Sequence, residues 1–365
     1  MAKLKTLPKA LIVGTVIAAL GFGAFKLLPK SAPPADKEEI AAVEDEGTPI
    51  SEPVRAPAQK KKPAPVQEEP QEAIAAVAAS PSGKLPGAGL ASGQKTGTNH
   101  PMVDDIVKAC SRADYPLRNV ISNGSVDNIH KIYTDPNSQF GVVQEDALAY
   151  QQKIDPKMMS RILAVFPFFS VEIHAIATKG APINSLADLA GKKVVEGPEG
   201  SGTWVTVQLI KQLTGIQWET VPGNLSQADG LNAVKTGLAD VEFIVAGQPI
   251  KVLTAAQGLK LVSLSHPKLD HYGFYTKTQL PTGTYPWQGQ SVTTYKVNNV
   301  LATFAYKNQY QKEIGELVTC ITRKVPDLQA DGHPKWRDVD PLDITRVKWP
   351  VHPAALAAIK REAKQ

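Results

Sequence analysis

The chain of 365 residues has a long stretch without any aromatic side chain. It contains nine phenylalanines, nine tyrosines and five tryptophans, yet none of them lies between Phe25 and Tyr115. Because large apolar side chains dominate packed cores, this stretch is not expected to form one. We therefore expect the folded part to begin near residue 99. The residues beyond it suffice for one large domain or two smaller ones.

Cysteine is scarce and the histidines are scattered, which excludes several kinds of site. Two cysteines are too few for a disulfide-rich scaffold or a thiolate metal centre. The seven histidines include no pair four residues apart on a helix and no HExxH motif. The net charge of +5 is too small for the basic surface that nucleic-acid binding requires. We predict no metal, no cofactor and no nucleic-acid partner.

The first 28 residues have the pattern of a membrane segment. An apolar run from Ala10 to Leu28, interrupted only by Lys26, follows a start that is rich in lysine. As a helix this run would span about 28 Å, close to the thickness of a bilayer core. We expect residues 1–28 to be a single-pass anchor, with the rest of the chain exported. A cleaved signal peptide, ending near Gly21, is the alternative.

Residues 29–98 have the composition of a disordered linker. They contain eleven prolines together with acidic and basic clusters, and they have few large apolar side chains. Such a segment cannot bury enough apolar surface to offset the entropy of ordering. We expect a tether between the membrane segment and the folded part, about 45 to 50 Å long on average as a loose coil.

After residue 99 short apolar segments alternate with amphipathic helical patterns. This alternation is typical of α/β layers built around mostly parallel sheets. Near the end of the chain, apolar residues from Tyr310 to Ile321 recur at the spacing of one buried helix face. The sequence therefore predicts an α/β protein that closes with a long helix.

The segment Glu196 to Trp204 is the most informative one for chemistry. It follows an apolar strand and opens a helix with a glycine-rich turn, and it carries the hydroxyls of Ser201 and Thr203. Helix N-terminal N–H groups beside hydroxyls favour an anion. The segment lacks the lysine of a phosphate-binding loop, the third glycine of a dinucleotide fold and the first glycine of a nucleophile elbow. We interpret it as an anion cradle, the alternative being a plain strand-to-helix turn.

Two further segments have a similar position between a strand and a helix. Residues 123–128 offer a polar helix entry around Gly124 and Ser125, for which a simple N-cap is the alternative interpretation. Gln144 ends a short apolar strand. In open α/β sheets the carboxyl ends of strands face the ligand crevice, so we expect its amide there.

Six segments resemble, in the same order, the TAXI-type solute receptors of tripartite ATP-independent periplasmic (TRAP) transporters. The resemblance covers roughly residues 95 to 355, and the segments are residues 123–129, 140–146, 185–203, 236–240, 246–249 and 281–286.

This resemblance implies a type II periplasmic-binding-protein fold with a ligand cleft between two α/β lobes. Lobe one would comprise residues 99–178 and 275–365, and lobe two residues 179–274. The family holds a small organic anion, such as glutamate or a dicarboxylate, and works with TRAP membrane subunits on the periplasmic side of the inner membrane. Its pocket positions correspond here to Gly124, Ser125, Gln144, Gly200, Ser201, Gly202, Thr203, Gly247 and Gln248.

One segment departs from the family. Residues 93–101 stand where the family has a strand, a glycine-rich turn and an aromatic helix start, and they contain no aromatic residue. Thr96, Thr98 and Asn99 are the candidates to replace the missing contacts. Both cysteines, Cys110 and Cys320, fall in lobe one, where they either form a disulfide or stay as buried thiols.

Two other functions remain open at this point. An envelope interaction module whose cleft has lost its ligand would fit the altered segment and the tether. An enzyme on the same fold would need acid and base groups, for which Glu145, Asp146, Glu196 and Glu199 are the candidates. Nothing in the sequence brings two of these carboxyls together. We therefore predict a receptor that binds its ligand without transforming it and that serves either TRAP-type uptake or sensing.

Overall fold

The computed structural model describes residues 87–307 and 309–365, which form one mixed sheet covered by helices. The strands are β1 (Ala88–Gly93), β2 (Leu117–Ile121), β3 (Phe140–Gln144), β4 (Ile162–Thr178), β5 (Lys193–Val195), β6 (Glu219–Thr220), β7 (Val241–Ala246), β8 (Leu259–Leu261), β9 (Tyr275–Leu280) and β10 (Val292–Phe304). The α-helices are α1 (Asn99–Cys110), α2 (Ser125–Thr134), α3 (Glu145–Ile154), α4 (Pro156–Met159), α5 (Gly202–Thr214), α6 (Gln227–Thr236), α7 (Lys251–Thr254), α8 (Pro267–Asp270), α9 (Gln309–Asp331) and α10 (Pro353–Glu362).

The predicted membrane segment, residues 1–28, lies outside the described residues, as does most of the predicted linker. Among the helices that the structure does describe, none combines the length and the apolar character needed to cross a bilayer.

The same strand order occurs twice in the sheet. The first half runs β2-β1-β3-β10-β4 and the second half β6-β5-β7-β4-β8. In each half the first three strands are parallel, and the next strand, β10 or β4, is antiparallel to them. The sheet is therefore mixed rather than mostly parallel. This α/β architecture of two similar lobes matches the type II periplasmic-binding-protein fold.

Two long strands belong to both lobes. The first part of β4 pairs with β10, and its last residues pair with β7 and β8. Strand β10 pairs first with β9 and then, from Asn299 onward, with β3. The chain thus crosses from one lobe to the other inside continuous strands, and these are the places where bending could change the angle between the lobes.

The crossing points differ from the predicted lobe boundaries at residues 178 and 275. Strand β4 already pairs with lobe two at Glu172. Leu280, Tyr285 and Val292, expected in lobe one, pack in the same apolar cluster as Ile244 of lobe two. The sequence patterns could not locate these points because β4 and β10 continue without a turn at the crossing.

The folded part also begins earlier than predicted. Strand β1, residues 88–93, lies inside the range assigned to the linker, and all six of its residues are buried. It pairs with β2 on one side and with β3 on the other. Its sequence, AGLASG, has almost no large side chains, so its burial results from pairing with neighbouring strands rather than from its own strand propensity.

The two cysteines form a disulfide. Cys110 is the last residue of α1, and Cys320 lies within the long helix α9. The bond joins residues that are 210 positions apart, and the side chains around it belong to the main apolar core. The first and last helical layers of lobe one are therefore covalently linked.

Candidate functional site

A cavity of about 90 Å³ lies where the N-terminal ends of α2 and α5 meet. Helix α2 belongs to lobe one and α5 to lobe two, so both lobes contribute to its wall. Six of the predicted pocket residues line it, namely Gly124, Ser125, Gln144, Ser201, Gly202 and Thr203. The chain brings these residues together although the two helices lie far apart in sequence.

At the lobe-one side, Gly124 precedes α2 with a positive φ of 120°. A side chain is disfavoured at this φ, and an added Cβ would lie 3.2 Å from the Cα of Ser201 in lobe two. Beside it, the N–H of Val126 donates to the carbonyl of Gly200 at 3.1 Å. Gly200 therefore serves the contact between the lobes and is not part of the cavity wall.

Three hydroxyls in the wall share one arrangement. Ser125, Ser201 and Thr203 each accept a backbone N–H, at 3.2, 3.1 and 3.0 Å respectively. The three donors are the N–H groups of Gln144, Trp204 and Val245. Because a lone pair of each oxygen is engaged, each hydroxyl retains its own hydrogen for donation. The wall thus offers O–H donors to a ligand.

Backbone donors lie next to these hydroxyls. Gly202 and Thr203 are the first residues of α5, so their N–H groups have no acceptor within the helix. Among the described residues outside the helix, none accepts a hydrogen bond from either group. The positive end of the helix dipole points the same way, which makes this end of the cavity suitable for a carboxylate.

Gln144 reaches across from lobe one to α5. An added Cβ on Gly202 would overlap its amide oxygen, so the close approach requires glycine there. Its amide nitrogen donates to the hydroxyl of Thr206 at 3.3 Å, and Thr206 donates to Asp146 at 2.7 Å. Asp146 also accepts the phenol O–H of Tyr275 at 3.1 Å. A buried chain of polar groups therefore connects the lobes beside the cavity.

Asp146 is the charged end of this chain. Burial raises the pKa of its carboxyl to about 6, against the opposing hydrogen bonds from Thr206 and Tyr275. Its second oxygen has no partner in the described part of the chain. A group with this pKa loses its proton just below neutral pH, so the contact between the lobes is sensitive to mild acidification.

The segment that departs from the family completes the cavity. Thr96, Thr98 and Asn99, named above as replacements, all line it together with Gln94. The Thr98 hydroxyl donates to the carbonyl of Gly247 at 3.3 Å and so joins this segment to lobe two. The altered segment therefore contributes polar contacts where the family has an aromatic start.

Gly247 and Gln248 do not line this cavity. The N–H of Gln248 donates to Glu172 at 3.0 Å, and Glu172 in turn binds the ammonium of Lys335 at 3.0 Å. Gln248 lines a separate surface depression together with these two charged residues. The backbone of the turn after β7 is thus bound to the Glu172–Lys335 ion pair, outside the cavity wall.

Two buried polar residues of the cavity wall were missed by the sequence patterns. Glu242 lies within β7 and Asn299 within β10, and their side chains are 2% and 1% exposed. Burial raises the pKa of Glu242 to about 9. The sequence did contain one sign of Glu242, since residues 241–246 are otherwise apolar and this strand carries a single carboxyl. Strand propensity does not explain a buried carboxyl at such a position.

The four candidate acids of an enzyme are dispersed. None of them lines the cavity. Glu145 accepts the backbone N–H of Lys348, Asp146 binds Thr206 and Tyr275, and Glu196 binds Lys211 at 2.7 Å. Each of these three carboxyls thus has its own partners away from the cavity, and among the described residues no acid and base pair lies beside Ser201.

Comparison with known proteins finds one matching family model and several similar structures. The NMT1-like family matches residues 90–360. A putative L-cystine ABC transporter from Listeria monocytogenes is 16% identical, with a TM-score of 0.43 over 66% of this chain and 90% of its own. A structure concerned with glutathione import in Streptococcus mutans is 12% identical, with a TM-score of 0.45 over 71% and 98%.

A third structure, a periplasmic binding protein of an arginine transport system from Legionella pneumophila, is also 12% identical. Its TM-score is 0.41 over 69% of this chain and 96% of its own. At these identities the likenesses identify no ligand for the chain.

Proposed function

The chain belongs to the NMT1-like family, and we propose that it is an extracytoplasmic solute receptor that captures a small organic anion by lobe closure. The ligand is glutamate-like or dicarboxylate-like. The observation that carries this proposal is the meeting of two helix N-termini, one from each lobe, at a single cavity with hydroxyl donors. Donors converging from both sides bind a carboxylate without a covalent step.

Lobe closure is supported by the contacts around the cavity. The lobes meet directly through Val126 and Gly200 and through Thr206 and Asp146. The cavity that they border, about 90 Å³, has room for several water-sized groups at roughly 10–15 Å³ each. A ligand enters when these contacts open and is enclosed when they form again, with the change in angle taken up in β4 and β10.

The location and the transport partner are part of the same proposal. The apolar run of residues 1–28 and the proline-rich segment that follows would tether the receptor to the periplasmic side of the inner membrane. The order of the six sequence segments supports a TAXI-type receptor that delivers its solute to TRAP membrane subunits. Intact mass of the membrane-extracted protein tests the anchor, since cleavage near Gly21 would remove it.

The ligand-binding proposal is tested with protein unfolded in urea, dialysed and refolded with its disulfide intact. Thermal shift is measured with glutamate, other amino acids and dicarboxylates, and calorimetry follows for any compound that stabilises the protein. Ser201→Ala should weaken binding about tenfold or more, because a hydrogen bond to a charged group is worth about 1.5–3 kcal/mol.

The control for this variant is Ser185→Ala. Ser185 also begins a short helix, where its hydroxyl donates to Asp188 at 3.0 Å, but it lies outside the cavity. Both variants lose a side-chain hydrogen bond at a helix start, which costs about 1 kcal/mol of stability, and only Ser201→Ala should lose affinity. No stabilisation by any compound of the panel, or equal affinity losses in the two variants, would contradict the proposal.

A further inference from the structure

Glu242 is the only charged side chain lining the cavity among the described residues. It is almost fully buried, and its Oε2 has no hydrogen-bond partner. No cation of the described chain lies within ion-pair distance of it. An unpaired buried carboxyl is costly, so its presence in a binding cavity requires an explanation.

The fold has a place built for this carboxyl. Helix α6 packs against β7, and at the contact it carries a glycine, Gly230, in its interior. An added Cβ there would overlap Oε1 of Glu242 and would also approach Val195 of β5 at 3.1 Å. Glycine within a helix costs about 1 kcal/mol relative to alanine. Helix α6 thus contains a residue that lowers its own stability at the position where the Glu242 carboxyl packs against it.

The opposite lobe supplies a second acceptor. Oδ1 of Asn299 has no donor among the described residues, although its amide nitrogen donates to Asn99 at 3.3 Å. Asn299 lines the same cavity as Glu242. The wall therefore has donors at the helix N-termini and, elsewhere, the unpartnered carboxyl of Glu242 and the unpaired Oδ1 of Asn299. A plain dicarboxylate offers acceptors only, so it leaves Oδ1 of Asn299 unpaired and brings no positive charge to Glu242.

We propose that Glu242 is the cation-binding group of the cavity and exchanges its proton for a protonated amine of the ligand. This inference rests on the proposed function and deepens it, because the ligand then carries both a carboxylate and an ammonium group. The carboxylate binds at the N-termini of α2 and α5. The ammonium binds Glu242, with Asn299 as a further acceptor.

The proton balance of this step is simple. Burial keeps Glu242 protonated at neutral pH, with a pKa of about 9. Its strand neighbours, Val195 on β5 and Ile176 on β4, and Gly230 on α6 carry no charge. Binding of R–NH3+ to Glu242–COOH gives the ion pair and releases one H+ to solvent. Affinity for an amine ligand should therefore rise with pH until Glu242 is ionised without ligand.

The experiment uses pairs of compounds that differ only in the amine, glutamate with glutarate and alanine with propionate. The refolded wild type and Glu242→Gln are compared by calorimetry at pH 7 in phosphate and in Tris, whose ionisation enthalpies differ. We expect the amino acid to bind the wild type about 100-fold more tightly than its partner, with release of close to one proton. Glu242→Gln should abolish both the preference and the proton release.

Glu219→Gln is the matched control, since Glu219 is exposed on the neighbouring β6 and lies outside the cavity. If circular dichroism shows that Glu242→Gln does not fold, the inference is tested by the proton release of the wild type, measured by calorimetry in the two buffers. Equal binding of both members of each pair, or amino-acid binding without proton release, would overturn the inference while the receptor function stands. Failure of all compounds of the wider panel would instead overturn the receptor function itself.

Discussion

Replacing Glu242 by glutamine should remove a strong pH dependence from the stability of the ligand-free protein. Burial raises the pKa of this carboxyl from its ordinary value of 4.5 to about 9 in the folded state. Between these values the folded protein holds a proton that the unfolded chain has released. The contribution of this carboxyl to the free energy of unfolding is therefore largest below pH 4.5 and falls as the pH rises, by about 1.4 kcal/mol per unit.

At pH 7 this single carboxyl lowers the free energy of unfolding by about 3 kcal/mol relative to pH 4.5. A loss of this size is a large part of the stability of a domain. It is tolerated here because ionisation on ligand binding would recover it as an ion pair. Glu242→Gln cannot ionise, so its stability should lack this component of the pH profile.

The assay is urea unfolding of the wild type and of Glu242→Gln at several pH values from about 5 to about 8, with the disulfide intact. The difference between the two free energies should change by about 1.4 kcal/mol per pH unit, with the wild type losing stability toward high pH. Glu219→Gln, an exposed control, should run parallel to the wild type. If the free energy of unfolding of Glu242→Gln also runs parallel to that of the wild type across this pH range, the reasoning is refuted.

Three further outcomes follow from other parts of the structure. Replacing Cys110 and Cys320 by serine should lower the free energy of unfolding by up to about 5 kcal/mol, because the bond closes a loop of 210 residues, and denaturant unfolding measures this. Gly202→Ala should weaken ligand binding in calorimetry, because its Cβ would overlap the amide oxygen of Gln144. Thr206→Val should cost about 1–3 kcal/mol above pH 6, where Asp146 is charged, and less below pH 5, as unfolding at the two pH values would measure.

The helix N-termini of the site could be predicted because their signals are local. A glycine-rich turn with Ser201 and Thr203 at the start of an amphipathic helix is visible in a short segment of sequence. The structure places it opposite the second predicted entry, at Gly124 and Ser125. That the two helix entries belong to one site could not be predicted from either segment alone. This prediction came from the order of the six segments along the chain, which implied the family resemblance.

The missed features depend on tertiary pairing. Strand β1 consists of small residues and forms because β2 and β3 flank it, so composition assigned it to the linker. Strand β10 occupies the centre of the sheet, yet residues 292–304 mix polar and apolar side chains without a pattern that marks the crossing. Glu242 was missed for a related reason, since a lone acid in an apolar strand has no partner in the sequence that would identify its role.

The two lobes repeat one strand order but differ in what they place at equivalent positions. Strand β3 ends at Gln144, paired with Asn299 of β10, whereas β7 ends at Ala246, paired with Glu172 of β4. Glu172 binds Lys335 outside the cavity, and the carboxyl that lobe two contributes to the cavity wall is that of Glu242. Lobe one then contributes uncharged amides and hydroxyls. On the proposed mechanism, a ligand amine is held by lobe two, and lobe one closes over it with neutral groups.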